Sequence, residues 1–548
     1  MDSSELIERC DRLAALADRR LALPAATFAA AARARQLHDH LYGFVRPRLS
    51  DIDAPLLVLL LGPTGAGKSS LLNTIAGAEV SKAGVLRPTT REAVLFASES
   101  DSRRILQSGR LAVIAKERLR LAAAPASRDG VAVIDAPDVD SVERDNRELA
   151  DVLVESCDLC VFVTTATRYA DLVPWEVLRR VRERGLSLVV VLNRVPAEEQ
   201  DRSAVVADAR RLLGNADLIV VDEGDLDPQV DGLSRDKARP LLERMARLAA
   251  EADERRAVAT QALAGAVRGL TPLVQDIADD LEHQAIDADA LQRIAVATYS
   301  EELVSLTRAL QGGLILREEV LRRWNEFVGA DQVARFISSG IGRLRAMLLT
   351  VFRGTTAAPV TIVEAEMTST LEALALRHAT DAARRTAIAW SDRSEAASLI
   401  ASNPALWSAS EGFGPAVREG LAAWMSAIVD DVRAHAGRKR AFAQVAALGV
   451  NAVGVAVMLG VFVHTAGLTG TEVGIAAGTA FLNQKLLEAI FGEGAMGELI
   501  GNARARLEAL LTTLFEDERK RFETLVPPPE ALRELAAALR DAVDGMKP

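Results

Sequence analysis

The chain is poor in the residues that build disulfide frameworks, metal clusters and basic surfaces. It has three cysteines, Cys10, Cys157 and Cys160, in 548 residues. That is too few for a disulfide scaffold, and a reducing compartment such as the cytosol suits them best. Cys157 and Cys160 form a C-x-x-C but run into the strand-like Val161-Phe162-Val163, with no second pair and no histidine nearby. Core packing is therefore expected, not redox or zinc chemistry. The six histidines are scattered and form no H-E-x-x-H, so nothing points to a protease, nuclease or metalloenzyme. Lys and Arg (65) are outnumbered by Asp and Glu (76), for a formal charge of -11. The positive footprint of a nucleic-acid binder is missing, and no nucleic-acid partner is expected. Met1-Asp2-Ser3-Ser4-Glu5 opens without a basic region followed by an apolar run, so a secretory signal is not expected. Long Pro, Ser or Gln tracts are also missing, which excludes a disordered arm.

Abundant Ala, Leu and Arg beside only 4% aromatics predict long helices, and the length suggests about three or four domain-sized units. Apolar positions at helical spacing (Leu6, Cys10, Leu13, Leu16, Ala17) mark an N-terminal arm, with Pro24 between two helices. The run Leu56–Leu61 and later runs at Val131–Ile134, Leu159–Val163, Leu188–Leu192 and Leu218–Val221 read as buried strands of a parallel sheet. Beyond about residue 232 the pattern is helical to the end, with breaks expected at Pro240, Pro272, Gly354, Pro359, Pro404 and the Pro527–Pro529 run.

One stretch departs from this charged pattern. No charge occurs from Val445 to Leu468, nor from Val473 to Leu482 after Glu472. As a helix the first piece is long enough to cross a hydrocarbon core of ~30 Å; the second is too short, so a re-entrant hairpin is an equal alternative to two spans. Arg438-Lys439-Arg440 and Arg504 with Arg506 flank it like cytoplasmic ends, and Gly474 and Gly478 give a G-x-x-x-G spacing. A hairpin buried in protein is the competing reading. The expected organisation is an N-terminal helical arm packing with the stalk (1–50), an α/β P-loop head of mostly parallel sheet flanked by helices (51–230), an all-α bundle or stalk (231–440), a hydrophobic hairpin meeting membrane lipid (441–492), and C-terminal helices returning to the stalk (493–548).

Gly62-Pro63-Thr64-Gly65-Ala66-Gly67-Lys68-Ser69 is a G-x-x-x-x-G-K-[ST] between a strand and a helix. Its glycines let backbone N–H groups turn toward phosphates, Lys68 reaches the β and γ oxygens, and the Ser69 hydroxyl ligates Mg²⁺. Gly62, Gly65, Ala66, Gly67, Lys68, Ser69 and Ser70 are the expected phosphate-binding residues. Arg87-Pro88-Thr89-Thr90 follows; Thr90, with Thr89 second, is the expected sensor of the γ-phosphate and a Mg²⁺ ligand. Asp135 ends an apolar strand and suits a water-mediated Mg²⁺ contact. A further strand delivers Asn193 and Arg194 to the nucleotide edge of the sheet. Thr64 and Arg87 are candidates for placing water and stabilising transferring charge, beside Lys68.

Taken together, Gly62 to Asn73, Arg87-Pro88-Thr89-Thr90, Asp135-Ala136-Pro137, Val161-Phe162-Val163-Thr164-Thr165, a helix over 174–184 and Asn193-Arg194 resemble the bacterial dynamin-like GTPases. The motifs cover only the head; for the other half the similarity is one of layout. The resemblance implies GTP and Mg²⁺ as ligands, GTP hydrolysis, a helical neck and trunk with a membrane-binding tip, and head-to-head dimerisation that completes the site at the cytoplasmic face of a membrane. Two positions depart from the family pattern. Asp138 stands where D-x-P-G has glycine, placing a carboxylate beside a triphosphate, which is repulsive unless it turns away or faces the metal, so slow or absent switching or hydrolysis is expected. Pro196 replaces the guanine-reading Asp of N/T-K-x-D, leaving Glu198, Asp222 or Glu223 as substitutes and ATP as an alternative nucleotide. A membrane-organising nucleotidase is the first functional reading. A nucleotide-gated scaffold with little turnover and a soluble regulatory P-loop protein are its rivals.

Overall fold

The computed structural model describes residues 3–82, 92–108, 110–111, 114, 116–124, 127–137, 144–214, 216–311, 318–328, 358–436, 449–463 and 474–546. Two compact units emerge: residues 1–285 with 529–548, and residues 286–528.

The first unit begins with α1 (Ser3–Ala22), α2 (Phe28–His40) and, after a π turn, α3 (Arg46–Ser50). A seven-stranded sheet follows, built from β1 (Leu56–Leu61), β2 (Ala93–Phe96), β3 (Leu119–Ala122), β4 (Val131–Asp135), β5 (Leu159–Thr165), β6 (Ser187–Val195) and β7 (Asp217–Asp222). The order is β3-β2-β4-β1-β5-β6-β7, parallel throughout except where β2 meets β4. All five strands read from apolar runs are present. The missed ones, β2 and β3, have four residues each, too short for an apolar run to stand out. β3 is a half-exposed edge strand, so burial does not select its residues.

Helices α4 (Lys68–Ala76), α5 (Glu99–Gln107), α6 (Arg144–Ser156), α7 (Leu172–Glu183), α8 (Glu199–Leu213) and α9 (Arg235–Ala250) connect or flank the strands. Side chains alternate faces along a strand, and β1 uses this on both sides. Leu56, Val58 and Leu60 pack in a core with residues of α4 and α9. Leu57, Leu59 and Leu61 pack in a second core with α6, α7, the N-terminal arm, residues 262–285 and residues 532–546. The arm and the last helix therefore share a core with the sheet.

Proline fails as a helix breaker at two of the expected places. Pro240 lies inside α9, and Pro272 lies inside the 60-residue α10 (Ala252–Gln311). A mid-helix proline costs about 3 kcal/mol; around Pro272 the buried Leu270, Val274, Ile277 and Leu281 supply packing that offsets it. Pro404 opens a short 3-10 turn. Gly354 lies outside the described residues.

The second unit contains the rest of α10, α11 (Glu318–Val328), α12 (Ala358–Ser391), α13 (Ser394–Ser402), α14 (Phe413–Ala436), α15 (Val450–Val463), α16 (Gly474–Phe491) and α17 (Glu493–Glu523); α18 (Pro529–Asp544) belongs to the first. Here part of the uncharged stretch is described. The described part of the uncharged stretch is α15, of 14 residues, and among the described residues no helix is long and apolar enough to cross a membrane. Val453, Val455, Ala456, Val457, Met458, Leu459, Val461 and Phe462 are all buried in the core of this unit. Asn483 on α16 donates to the Ala456 carbonyl at 2.9 Å, and a Cβ on Gly460 would stand 2.8 Å from Ile500. From Ala452 to Phe462 neighbouring helices cover α15, which leaves no place there for a charge, while Asn451 is exposed. Arg504 and Arg506, expected as membrane-flanking charges, donate to Val461 O at 3.4 Å and to Asp431 at 2.6 Å. Arg438, Lys439 and Arg440 lie outside the described residues.

A fully buried ion triad ties the arm to the base of the sheet. Asp158, at the start of β5, accepts from Arg48 of α3, from Arg110 at 2.8 Å and from the Leu57 N–H at 2.8 Å. Burial pushes its carboxyl upward, but Arg110 and Arg48 outweigh this and hold it below the ordinary 3.8. Because the folded value lies below the unfolded one, the stabilisation is complete above about pH 3.8 and fades as pH falls further. Asp158→Ala leaves two buried guanidinium groups without their anion and is expected to cost about 3–5 kcal/mol, read as a lower urea midpoint for the transition that carries the head.

Candidate functional site

The site forms at the carboxyl ends of β1, β4, β5 and β6, where ligands of open α/β sheets bind. β1 is wholly buried and ends at the loop, and α4 begins at Lys68, so the loop bridges a rigid strand and a helix N-terminus. Two glycines are obligatory for steric reasons. At Gly62 (φ 153°) a Cβ would lie 1.9 Å from the Val163 carbonyl, and at Gly67 (φ 102°) 2.5 Å from the Asn193 amide nitrogen.

Lys68 is 5% exposed, and its ammonium donates to the carbonyls of Gly62 at 2.9 Å and Pro63 at 3.2 Å. The Ser69 hydroxyl donates to Asp135 Oδ2 at 2.7 Å. Asp135 is fully buried, placed there by the register that sets Leu60 of β1 beside it. Ser81 Oγ donates to the same oxygen at 3.1 Å. A hydroxyl and a buried carboxylate meeting at a helix N-terminus are hard oxygen donors, the set Mg²⁺ takes beside phosphate oxygens. Ser69 would hold the ion directly and Asp135 through water. When bound, the ion would neutralise charge on the phosphates. Ser70 lies in the first turn of α4, where its carbonyl accepts from Thr74.

Asn193 stands near the carboxyl end of β6 beside the loop, where its amide nitrogen donates to the Ala66 carbonyl at 2.9 Å and its oxygen accepts from Arg194 N at 2.8 Å. It ties the end of β6 to the phosphate loop and is 4% exposed. Arg194 adopts φ 54°, uncommon for a non-glycine residue, where the β6–β7 register shifts between Leu192 and Val195. Of the three carboxylates considered for reading a base, Asp222 is already engaged by Arg202 at 2.9 Å and Lys237 at 2.7 Å. Glu223 stands at the end of β7, where its N–H donates to Val195 O at 2.7 Å, and its side chain is exposed, as is that of Glu198.

Arg87, Thr89, Thr90 and Asp138 lie outside the described residues. Two contributors were missed in the sequence. Ser81 has no motif around it. Arg168, in the turn after β5, donates through Nη1 to the Thr64 carbonyl at 3.1 Å; its only sequence signal is its position just beyond the Thr164-Thr165 strand end. Cys157 and Cys160 are buried, and burial pushes both thiols far up, as core residues require.

Together the parallel sheet, the glycine loop and the Ser69–Asp135 pair have the arrangement of a P-loop nucleotide-binding head. Residues 57–194 match the family model described as 50S ribosome-binding GTPase. Over 179 residues the chain is 27% identical to GTPase Der of Synechococcus sp. (strain CC9311), covering 32% of this chain and 35% of that protein. It is also 27% identical over 178 residues to the probable transmembrane GTPase FZO-like, chloroplastic, of Arabidopsis thaliana, covering 31% and 19%. The chain thus spans about a third or less of the length of these relatives. Among solved structures, one of an oligomerised bacterial dynamin pair aligns over 93% of this chain and 91% of its own, at 11% identity and a TM-score of 0.43. The LeoA bacterial dynamin GTPase from ETEC aligns over 99% and 94%, at 13% identity and a TM-score of 0.24.

Ser69→Ala removes the expected direct metal ligand while leaving the loop backbone in place. The Mg²⁺ concentration needed for half-maximal nucleotide binding should rise about 10- to 100-fold, measured by titrating the metal at fixed nucleotide.

Proposed function

We propose that this protein is a dynamin-like GTPase whose nucleotide state controls contact between its helical unit and a membrane. The observation that carries the nucleotide half is the Ser69–Asp135 pair at the foot of a glycine loop, at 2.7 Å, supported by the family-model match over 57–194. Guanine is favoured over adenine by that match, and Mg²⁺ by the oxygen donors. Thr64 and Lys68 line the phosphate side, with Thr90 and Arg87 as the proposed switch residues. Asn193 positions the loop, and the Arg194 stem covers the base.

The membrane half rests on the resemblance of the motifs and on the uncharged stretch from Val445 to Leu468. Since α15 is buried, lipid contact through 441–492 requires either the segments beside α15 or release of α15 from its neighbours. Pairing of two heads is proposed to complete the site. A scaffold that holds nucleotide with little turnover is the second reading, favoured by Asp138 and Pro196 in the positions described above.

Phosphate release from GTP by the full chain decides between them. The GTPase reading expects turnover that rises with protein concentration and falls about 100-fold or more in Lys68→Ala; tight binding with negligible release at every concentration favours the scaffold. Flotation of the full chain with anionic vesicles tests the membrane half, and failure to float in the nucleotide-free, GTP and GDP states would overturn it.

A further inference from the structure

A loop that binds phosphate must turn its N–H groups inward and keep its carbonyl oxygens out of the way, because an oxygen facing a triphosphate is repelled. Four carbonyls of this loop are held by identifiable donors. Gly62 O and Pro63 O accept from Lys68, at 2.9 and 3.2 Å. Ala66 O accepts from Asn193 at 2.9 Å. Thr64 O accepts from Arg168 Nη1 at 3.1 Å. Lys68 and Asn193 belong to recognised nucleotide motifs; Arg168 belongs to none.

Arg168 is itself held in place. Its Nε donates to Asp171 Oδ2 at 2.9 Å, and its backbone N–H closes a turn onto Thr165 O at 3.0 Å, fixing it to the end of β5. A trans peptide is planar, so the carbonyl of one residue and the N–H of the next point in opposite directions. Drawing the Thr64 carbonyl toward Arg168 therefore turns the Gly65 N–H the other way. Gly65 has φ 73°, and nothing lies within 4 Å of where its Cβ would stand, so side-chain crowding at Gly65 does not set the orientation of this peptide.

We infer that Arg168 is a positioning residue of the phosphate site: from the turn after β5 it orients the Thr64–Gly65 peptide so that the Gly65 N–H serves a bound triphosphate. The inference rests on reading the loop as a triphosphate site.

The test is calorimetric titration of Mg²⁺-GTP into the full-length wild type, Arg168→Ala, Arg168→Lys and Asp171→Asn, with a thermal melt of each. Arg168→Ala should weaken binding about tenfold at an unchanged melting temperature. Arg168→Lys, which keeps the charge and one donor for the carbonyl, should recover part of the loss, and Asp171→Asn should show a smaller one. Unchanged affinity in Arg168→Ala would overturn the inference, as would a loss that accompanies a lowered melting temperature and is not restored by lysine. A wild type that binds no GTP would overturn the triphosphate reading itself, and the inference with it.

Discussion

The head depends on one constraint: a short loop must present backbone N–H groups to an anion while standing between a buried strand and a helix. Glycine alone meets the geometry at Gly62 and Gly67, where a Cβ would collide with Val163 or Asn193. The surrounding elements are arranged to hold that loop. β1 anchors one end and α4 the other, β4 brings Asp135 to Ser69, and β6 brings Asn193 to Ala66. A parallel sheet suits this role because it collects the carboxyl ends of several strands at one edge.

The opposite edge is fixed just as firmly. Asp158 binds Arg48, Arg110 and the Leu57 N–H, so the helical arm is fastened to the start of the same β1 that carries the loop at its end. Buried ion pairs add little net stability over apolar packing, but they specify register. Here the triad selects one seat for α3 beneath the sheet.

The legible parts of the sequence were those in which one physical demand dictates residue type. The glycine loop and the four largely buried strands β1, β4, β5 and β6, of which β4 ends in Asp135, satisfy that condition, while β7 is only partly buried. Arg168 and Ser81 were illegible because an arginine that bonds Thr64 and a serine that bonds Asp135, each far away in sequence, leave no local pattern. Asn193 was found for its place on β6, but its bond to Ala66 requires the fold. The uncharged stretch was legible as buried but not as to its solvent: lipid and a helical core both remove charge. The described residues answer this for α15, where Asn483 and the close contact at Gly460 place protein against it. The prolines misled for a related reason, since the cost of Pro272 is local while the packing that offsets it comes from the sheet and the arm.

Pro196 stands where the resemblance implies the carboxylate that reads the nucleotide base. With Asp222 engaged by Arg202 and Lys237, Glu223, Glu198 and the backbone are the candidates among the described residues for reading a guanine base. The most direct measurement is calorimetric titration of the wild-type chain with GTP and with ATP in the presence of Mg²⁺. The account predicts saturable GTP binding, with ATP weaker by about tenfold or more, equivalent to about 1.4 kcal/mol. Equal or tighter binding of ATP, or no binding of either nucleotide, would contradict it.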